Sequence, residues 1–86
     1  MDDPAVIKVT VDVGLALAKQ ATGPWQGKQR PTLQLTYPAT VEQLVEMLGI
    51  PREYIGFVTI NGEKKDWASY LEPDDQIMLF PYITGG

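Results

Sequence analysis

From Val6 to Val13 the chain alternates: Ile7, Val9, Val11 and Val13 fall on one face, and Lys8, Thr10 and Asp12 on the other. A period of two places the apolar set on one face of an extended strand, half buried against a core. The alternation returns over Thr32–Tyr37, where Leu33, Leu35 and Tyr37 fall together. The two runs are expected to pair as a hairpin with an enlarged connection. Within that connection, Leu15-Ala16-Leu17-Ala18-Lys19 could make one short helical turn, but Gly23-Pro24 and Gly27 break any continuation. Gly14–Arg30 therefore reads as a long loop, with Trp25 either tucked against the body or exposed.

The period then changes to that of a helix. Val41, Leu44, Val45 and Leu48 fall at i, i+3, i+4 and i+7 and make one apolar stripe. Thr40 precedes the stripe with Gln43 three residues on, the spacing of a capping box. Gly49 suits a left-handed stop, Ile50 can pack back on Val45, and Pro51 prevents continuation. Phe57–Ile60 reads as a third strand, closed by the hairpin signal Asn61-Gly62. Glu63–Lys65 is a short edge return. Leu71 leads through Glu72-Pro73-Asp74-Asp75 into a last strand, Gln76–Phe80, which Pro81 is expected to stop.

This order is a hairpin, one amphipathic helix, short strands and a final long strand. It predicts a two-layer α+β domain, with one main helix packed on one face of a mixed sheet. A β-grasp satisfies it, with the first and last strands as central parallel neighbours, residues 1–80 as the domain and residues 81–86 as a flexible Gly-Gly tail. A ferredoxin-like split needs a second comparable helix, and Leu15–Ala21 is too short to supply one.

Composition narrows the chemistry. The 86 residues suffice for one domain. With neither Cys nor His in the sequence, there is no thiol nucleophile, imidazole base or ordinary zinc site. No phosphate-cradling glycine motif is present. Seven basic residues against eleven acidic ones, a net charge of −4, argue against binding a nucleic-acid backbone. No apolar run approaches the roughly 18–20 residues that span a bilayer, and the acidic start Met1-Asp2-Asp3-Pro4 lacks the basic region of a secretory signal. No membrane association is expected, and the expected location is cytoplasmic. The chain is expected not to be an enzyme acting alone.

The sequence closes Leu79-Phe80-Pro81-Tyr82-Ile83-Thr84-Gly85-Gly86. Six residues beyond Phe80 extend at most about 20 Å, and two glycines without Cβ could thread a channel too narrow for a side chain. Taken alone, such an ending is no more than a frayed tail. Its context is an ordered series: Ile60-Asn61-Gly62, then Leu71-x-Pro-Asp-Asp-x-Ile77, then Leu79-Phe80-Pro81 and Gly85-Gly86. This series resembles the MoaD/ThiS family of ubiquitin-like sulfur carriers, specifically from about Thr40 onward. One departure is Asp74, where that family most often has Gly; Asp tolerates left-handed backbone better than most residues.

The resemblance implies a mechanism. An E1-like adenylating enzyme of the MoeB/ThiF type would activate the Gly86 carboxylate with Mg-ATP, and a persulfide donor would convert the adenylate to a thiocarboxylate. A sulfur-accepting synthase subunit would then take the sulfur, most readily for molybdopterin or tungstopterin, with thiamine thiazole synthesis next. The chain would be a covalent substrate, or the small subunit of a synthase, and would hold no cofactor or metal itself. Gly86 is the expected reacting group, with Gly85, Thr84, Ile83, Tyr82 and Pro81 in the partner's channel. Met78 and Phe80 alternate with Ile77 and Leu79, so they should face away from the helix as a docking patch, unless Gly14–Arg30 folds over them. Asn61 reads as a turn former, Asp74-Asp75 as a solvated turn, Trp25 and Trp67 as packing residues, and Lys64-Lys65 as a solvated edge. Two other functions use the same residues differently: a ubiquitin-like modifier conjugated through Gly86, and a non-covalent interaction module with an idle tail.

Overall fold

The computed structural model describes residues 5–82. Strands β1 (Val6–Asp12) and β2 (Thr32–Thr36) pair antiparallel, with Ile7 opposite Leu35 and Val9 opposite Leu33. This register puts both alternations in phase, so Ile7, Val9, Val11, Leu33 and Leu35 are all buried on one face.

The connection is more ordered than its glycines suggest. Asp12 Oδ1 accepts from Gly14 N–H at 3.2 Å and starts the short helix α1 (Gly14–Ala18), which sends Leu17 and Ala18 into the core. A single 3₁₀ turn, Gly23–Trp25, follows. Thr22 N–H donates to Leu48 O at 3.0 Å, satisfying a carbonyl at the end of the main helix, and Trp25 packs partly buried against the core. Val11 and Val13 N–H reach Pro31 O and Gln29 O at 3.0 and 2.9 Å. The segment thus packs mainly on the helix side of the sheet; its last residue, Arg30, reaches Asp12 at 3.2 Å and borders Met78 on the other face, where Met78 stays 41% exposed.

The main helix, α2 (Val41–Leu48), has the expected ends. Thr40 Oγ1 accepts from Gln43 N–H at 3.3 Å and Gln43 Oε1 from Thr40 N–H at 2.8 Å. Gly49 ends it at φ 75°, where a Cβ would run into the Thr22 side chain. Val41, Leu44, Val45 and Leu48 are buried, each contributing about 1.5–3 kcal/mol relative to exposure.

A 3₁₀ turn at Arg52–Tyr54 leads into β3 (Ile55–Ile60), two residues longer than the expected Phe57–Ile60. Asn61 and Gly62, at φ 52° and 86°, turn it back into β4 (Glu63–Lys65). The chain crosses the helix end, where Leu71 is fully buried and Trp67 packs on the core beneath the Arg52 guanidinium, 4.3 Å from the ring centroid. It re-enters the sheet as β5 (Gln76–Pro81), parallel to β1 and antiparallel to β3. The sheet order is β2-β1-β5-β3-β4. The first and last strands are therefore the central parallel neighbours, and α2 covers one face only. No helix among the described residues is long and apolar enough to cross a membrane.

Pro81 does not stop the last strand: it lies within β5, opposite Ile55, and Tyr82 N–H donates to Tyr54 O at 2.7 Å. Since Tyr82 N–H points toward β3, the adjacent Pro81 nitrogen points toward β1. The β1 ladder already ends at Asp12–Met78, so the missing N–H leaves nothing unpaired.

Candidate functional site

Alternation along β5 sends Ile77 and Leu79 into the core and Met78 and Phe80 to the opposite face of the sheet. There Phe80 meets Phe57, its register partner on β3. The rings stack with centroids 4.3 Å apart and planes 8° from parallel. Offset aromatic pairs of this kind add about 0.5–1.5 kcal/mol beyond the area they bury. Lys64 Nζ lies 5.5 Å from the centroid of the Phe57 ring, and Met78 sits between Asp12 of β1 and Thr59 of β3. Phe57, Met78, Tyr54 and Tyr82 are each at least 40% exposed. Together they make an apolar surface on the side of the sheet that the helix leaves open.

Gly56 allows this surface to continue to the end of the described chain. The β3–β5 register shifts between Ile55 and Phe57, and a Cβ at Gly56 would stand 3.1 Å from Pro81 O and 3.3 Å from Tyr82 Cα. Only a residue without Cβ fits this close backbone approach unaltered. The irregularity and the Tyr82–Tyr54 hydrogen bond hold Pro81 and Tyr82 against β3.

At the other end of β5, Asn61 and Asp75 form a clasp. Asn61 Nδ2–H donates to Asp75 Oδ1 at 2.9 Å, Asp75 Oδ2 accepts from Glu72 N–H at 2.8 Å, and Asn61 Oδ1 accepts from Gln76 N–H at 3.0 Å. The backbones join as well: Asn61 N–H reaches Gln76 O at 2.8 Å and Thr10 N–H reaches Asp75 O at 3.1 Å. Asp75 is only 8% exposed, which corrects the expectation of a solvated Asp74-Asp75 turn. Asp74 is the exposed member and takes the left-handed conformation, φ 67°. Asn61 does form the turn, but its side chain also holds the start of β5. The sequence gives no local sign of a pairing across fourteen positions.

Of the expected site residues, Met78, Phe80, Pro81 and Tyr82 lie along one strand and its exit. Phe57, Tyr54 and Gly56 join them, and sequence reading had not singled them out. Ile83, Thr84, Gly85 and Gly86 lie outside the described residues. No cluster of three or more acidic, His or Cys side chains that could hold a metal occurs among the described residues.

A family model described as Mut7-C ubiquitin matches residues 24–85. No curated protein matches the chain. Among solved structures, the chain is similar to the HVO 2177 protein of Haloferax volcanii, with a TM-score of 0.76 at 18% identity over 100% of this chain and 92% of that one. It is similar to small archaeal modifier protein 1 of the same organism, with a TM-score of 0.70 at 20% identity over 90% and 99% of the two chains. A Pyrococcus furiosus protein assigned as molybdopterin converting factor subunit 1 gives a TM-score of 0.68 at 21% identity over 90% and 99%. At these identities the likeness establishes the fold, a ubiquitin-like β-grasp.

Proposed function

The chain belongs to the Mut7-C ubiquitin family, and from that premise we propose that it is a sulfur carrier whose Gly86 carboxylate is activated by an E1-like enzyme. The observation that carries this reading is the exposed Phe57–Phe80 surface on the strand that runs on to Gly85-Gly86. Such a surface can dock the activating protein while the strand aims the terminus into its active site. The assignment of the Pyrococcus furiosus neighbour to a molybdopterin converting factor supports a pterin-directed carrier.

In the proposed reaction a Gly86 carboxylate oxygen attacks the α-phosphorus of Mg-ATP held by the partner, and pyrophosphate leaves. The acyl-adenylate has a good leaving group where the free carboxylate had none. A persulfide sulfur adds to the carbonyl and AMP departs. A thiol then cleaves the acyl disulfide and leaves a thiocarboxylate, which delivers sulfur to the accepting synthase subunit in the cytoplasm. The nucleotide, metal and catalytic side chains are the partner's; this chain supplies the docking face and the terminus. With the backbone anchored at Tyr82, the four residues that follow it limit the reacting carbon to within about 14 Å of that anchor.

A second reading shares every step up to the adenylate: attack by a lysine amine in place of the persulfide would attach the chain to a protein. The similarity to small archaeal modifier protein 1 favours it. One experiment separates the two. The chain is incubated with a cognate E1-like enzyme, Mg-ATP and a persulfide donor, and intact masses are measured. Replacement of one oxygen by sulfur, abolished by deletion of Gly86, is the carrier result. Isopeptide adducts through Gly86 without that change indicate the modifier. An unchanged mass, with the same enzyme active on a control carrier, refutes both.

A further inference from the structure

β2 is the outermost strand on its side of the sheet, with β1 as its neighbour. Two hydrogen bonds just beyond the ladder fix which way its backbone groups point. Val11 N–H donates to Pro31 O at 3.0 Å and Tyr37 N–H to Ala5 O at 2.8 Å. Bonded pairs alternate in an antiparallel ladder, so Leu33 and Leu35 direct their backbone groups at β1, whereas Thr32, Gln34 and Thr36 direct theirs outward. Among the described residues these outward groups have no partner.

Sheet edges are usually guarded by charges, proline or a bulge. The opposite edge, β4, is guarded in this way by Glu63, Lys64 and Lys65. Within Thr32–Thr36 β2 carries no such guard, since its flanking prolines, Pro31 and Pro38, lie outside the paired residues, and no charged residue occurs from Pro31 through Val41 in a chain of net charge −4. Its sequence, Thr32-Leu33-Gln34-Leu35-Thr36, also reads the same in both directions.

We propose that β2 is a self-association edge, through which two copies of this chain pair antiparallel about a two-fold axis at Gln34. In that register Gln34 faces Gln34 of the second copy and Thr32 faces Thr36. These are the three residues whose backbone groups point outward, so each facing pair exchanges two N–H···O bonds. Threonine opposite threonine is a favourable cross-strand pair. The leucines of the two copies continue one buried layer, and Met47, 43% exposed beside Leu35 and Ala39, flanks the edge on the helix side. Charge decides the partner as well: two acidic copies repel overall, and the uncharged edge is where they can approach without opposing like charges. The pairing leaves the Phe57–Phe80 surface of each copy open and does not depend on activation of Gly86.

A five-residue edge buries less than the roughly 1,200 Å² of a stable interface, so the dimer is weak and reversible. The test is sedimentation velocity with residue-resolved amide exchange over a dilution series from about 1 mM to about 10 μM, which brackets contacts of this size. Dimer is expected at the top of the range, with Thr32, Gln34 and Thr36 amides gaining protection as concentration rises while Leu33 and Leu35 are protected throughout. Gln34→Glu gains Lys8 as a cross-strand neighbour within its own chain, which keeps the fold intact, but sets like charges together on the axis. It is expected to weaken association about fivefold. Gln34→Lys weakens association likewise; because it also faces Lys8 within its own chain, unchanged protection of the Leu33 and Leu35 amides is its check on folding, and an equimolar mixture of the two variants restores association. A monomer at every concentration overturns the proposal, as does association that neither variant weakens. Protection that maps to Phe57 and Phe80, or an edge that takes only unrelated extended peptides, overturns it too.

Discussion

Removing the Asp75 carboxylate tests whether the clasp at the start of β5 holds that strand in place. Asp75 is 8% exposed and accepts two hydrogen bonds, from Asn61 Nδ2–H and Glu72 N–H, at 2.9 and 2.8 Å. Asp75→Ala leaves both donors unpaired. Hydrogen bonds to a charged acceptor contribute about 1.5 kcal/mol or more each. Water can reach part of the site, so the expected loss is about 2–3 kcal/mol, or a fall in Tm of about 10–20 °C for a domain of this size. Asn61→Ala removes the same shared bond, orphans Gln76 N–H, and places alanine at φ 52°. Its expected loss is about 3 kcal/mol, roughly 1 of it from the left-handed backbone. Because one bond is common to both variants, the double variant should recover about 1–1.5 kcal/mol relative to additivity. Urea unfolding of the four proteins, compared at constant m-value, measures the coupling. Additive losses, or a loss below about 1 kcal/mol for Asp75→Ala, would show that the clasp is a crossing of surface side chains with no part in holding the strand.

Leu44→Ala empties a fully buried site beneath the sheet and should cost about 2–5 kcal/mol in the same unfolding assay. Gly49→Ala puts a Cβ at φ 75° against the Thr22 side chain; a loss of at least about 1 kcal/mol is expected, part of it recovered when Thr22→Ala is added. Phe57→Ser removes one ring of the stack and the covered part of a side chain that is 40% exposed; a loss of about 2–3 kcal/mol is expected, which leaves the protein folded below its transition. On the carrier reading it should weaken engagement by the activating enzyme about tenfold or more, measured as the enzyme concentration needed for half-maximal mass conversion.

What was legible in the sequence was whatever repeats with a local period or a local turn chemistry. The β1 alternation, the α2 stripe with its Thr40–Gln43 box, Gly49 and the Asn61-Gly62 turn each state their conformation within a few residues, and all stand in the structure as expected. The central pairing of β1 with β5 came with the β-grasp that the order of elements satisfies, and no local signal in either strand states it. What escaped depends on neighbours distant in the chain. Pro81 reads as a stop in isolation, yet is harmless where β1 has already ended. Asp75 reads as a solvated turn until Asn61 is placed beside it.

The same distinction explains why only half of the candidate surface could be named in advance. Met78 and Phe80 were legible from alternation along β5 alone. Phe57 and Gly56 became part of the site through the register of β3, which shifts between Ile55 and Phe57. Phe57 shares the register of Val58–Ile60, so alternation from the buried Val58 already sets it opposite Phe80 on the open face; without the shift it is Ile55 that would leave the core. The irregularity next to Gly56 therefore acts on the other side of the ring pair. It returns Ile55 to the core, and it lets the backbone at Pro81 and Tyr82 pass close to β3. A carrier, as proposed, needs its recognition surface close to the segment that leads to the terminus. Here Phe57 and the last described residues, Pro81 and Tyr82, adjoin at Gly56, the one position in β3 that has no side chain.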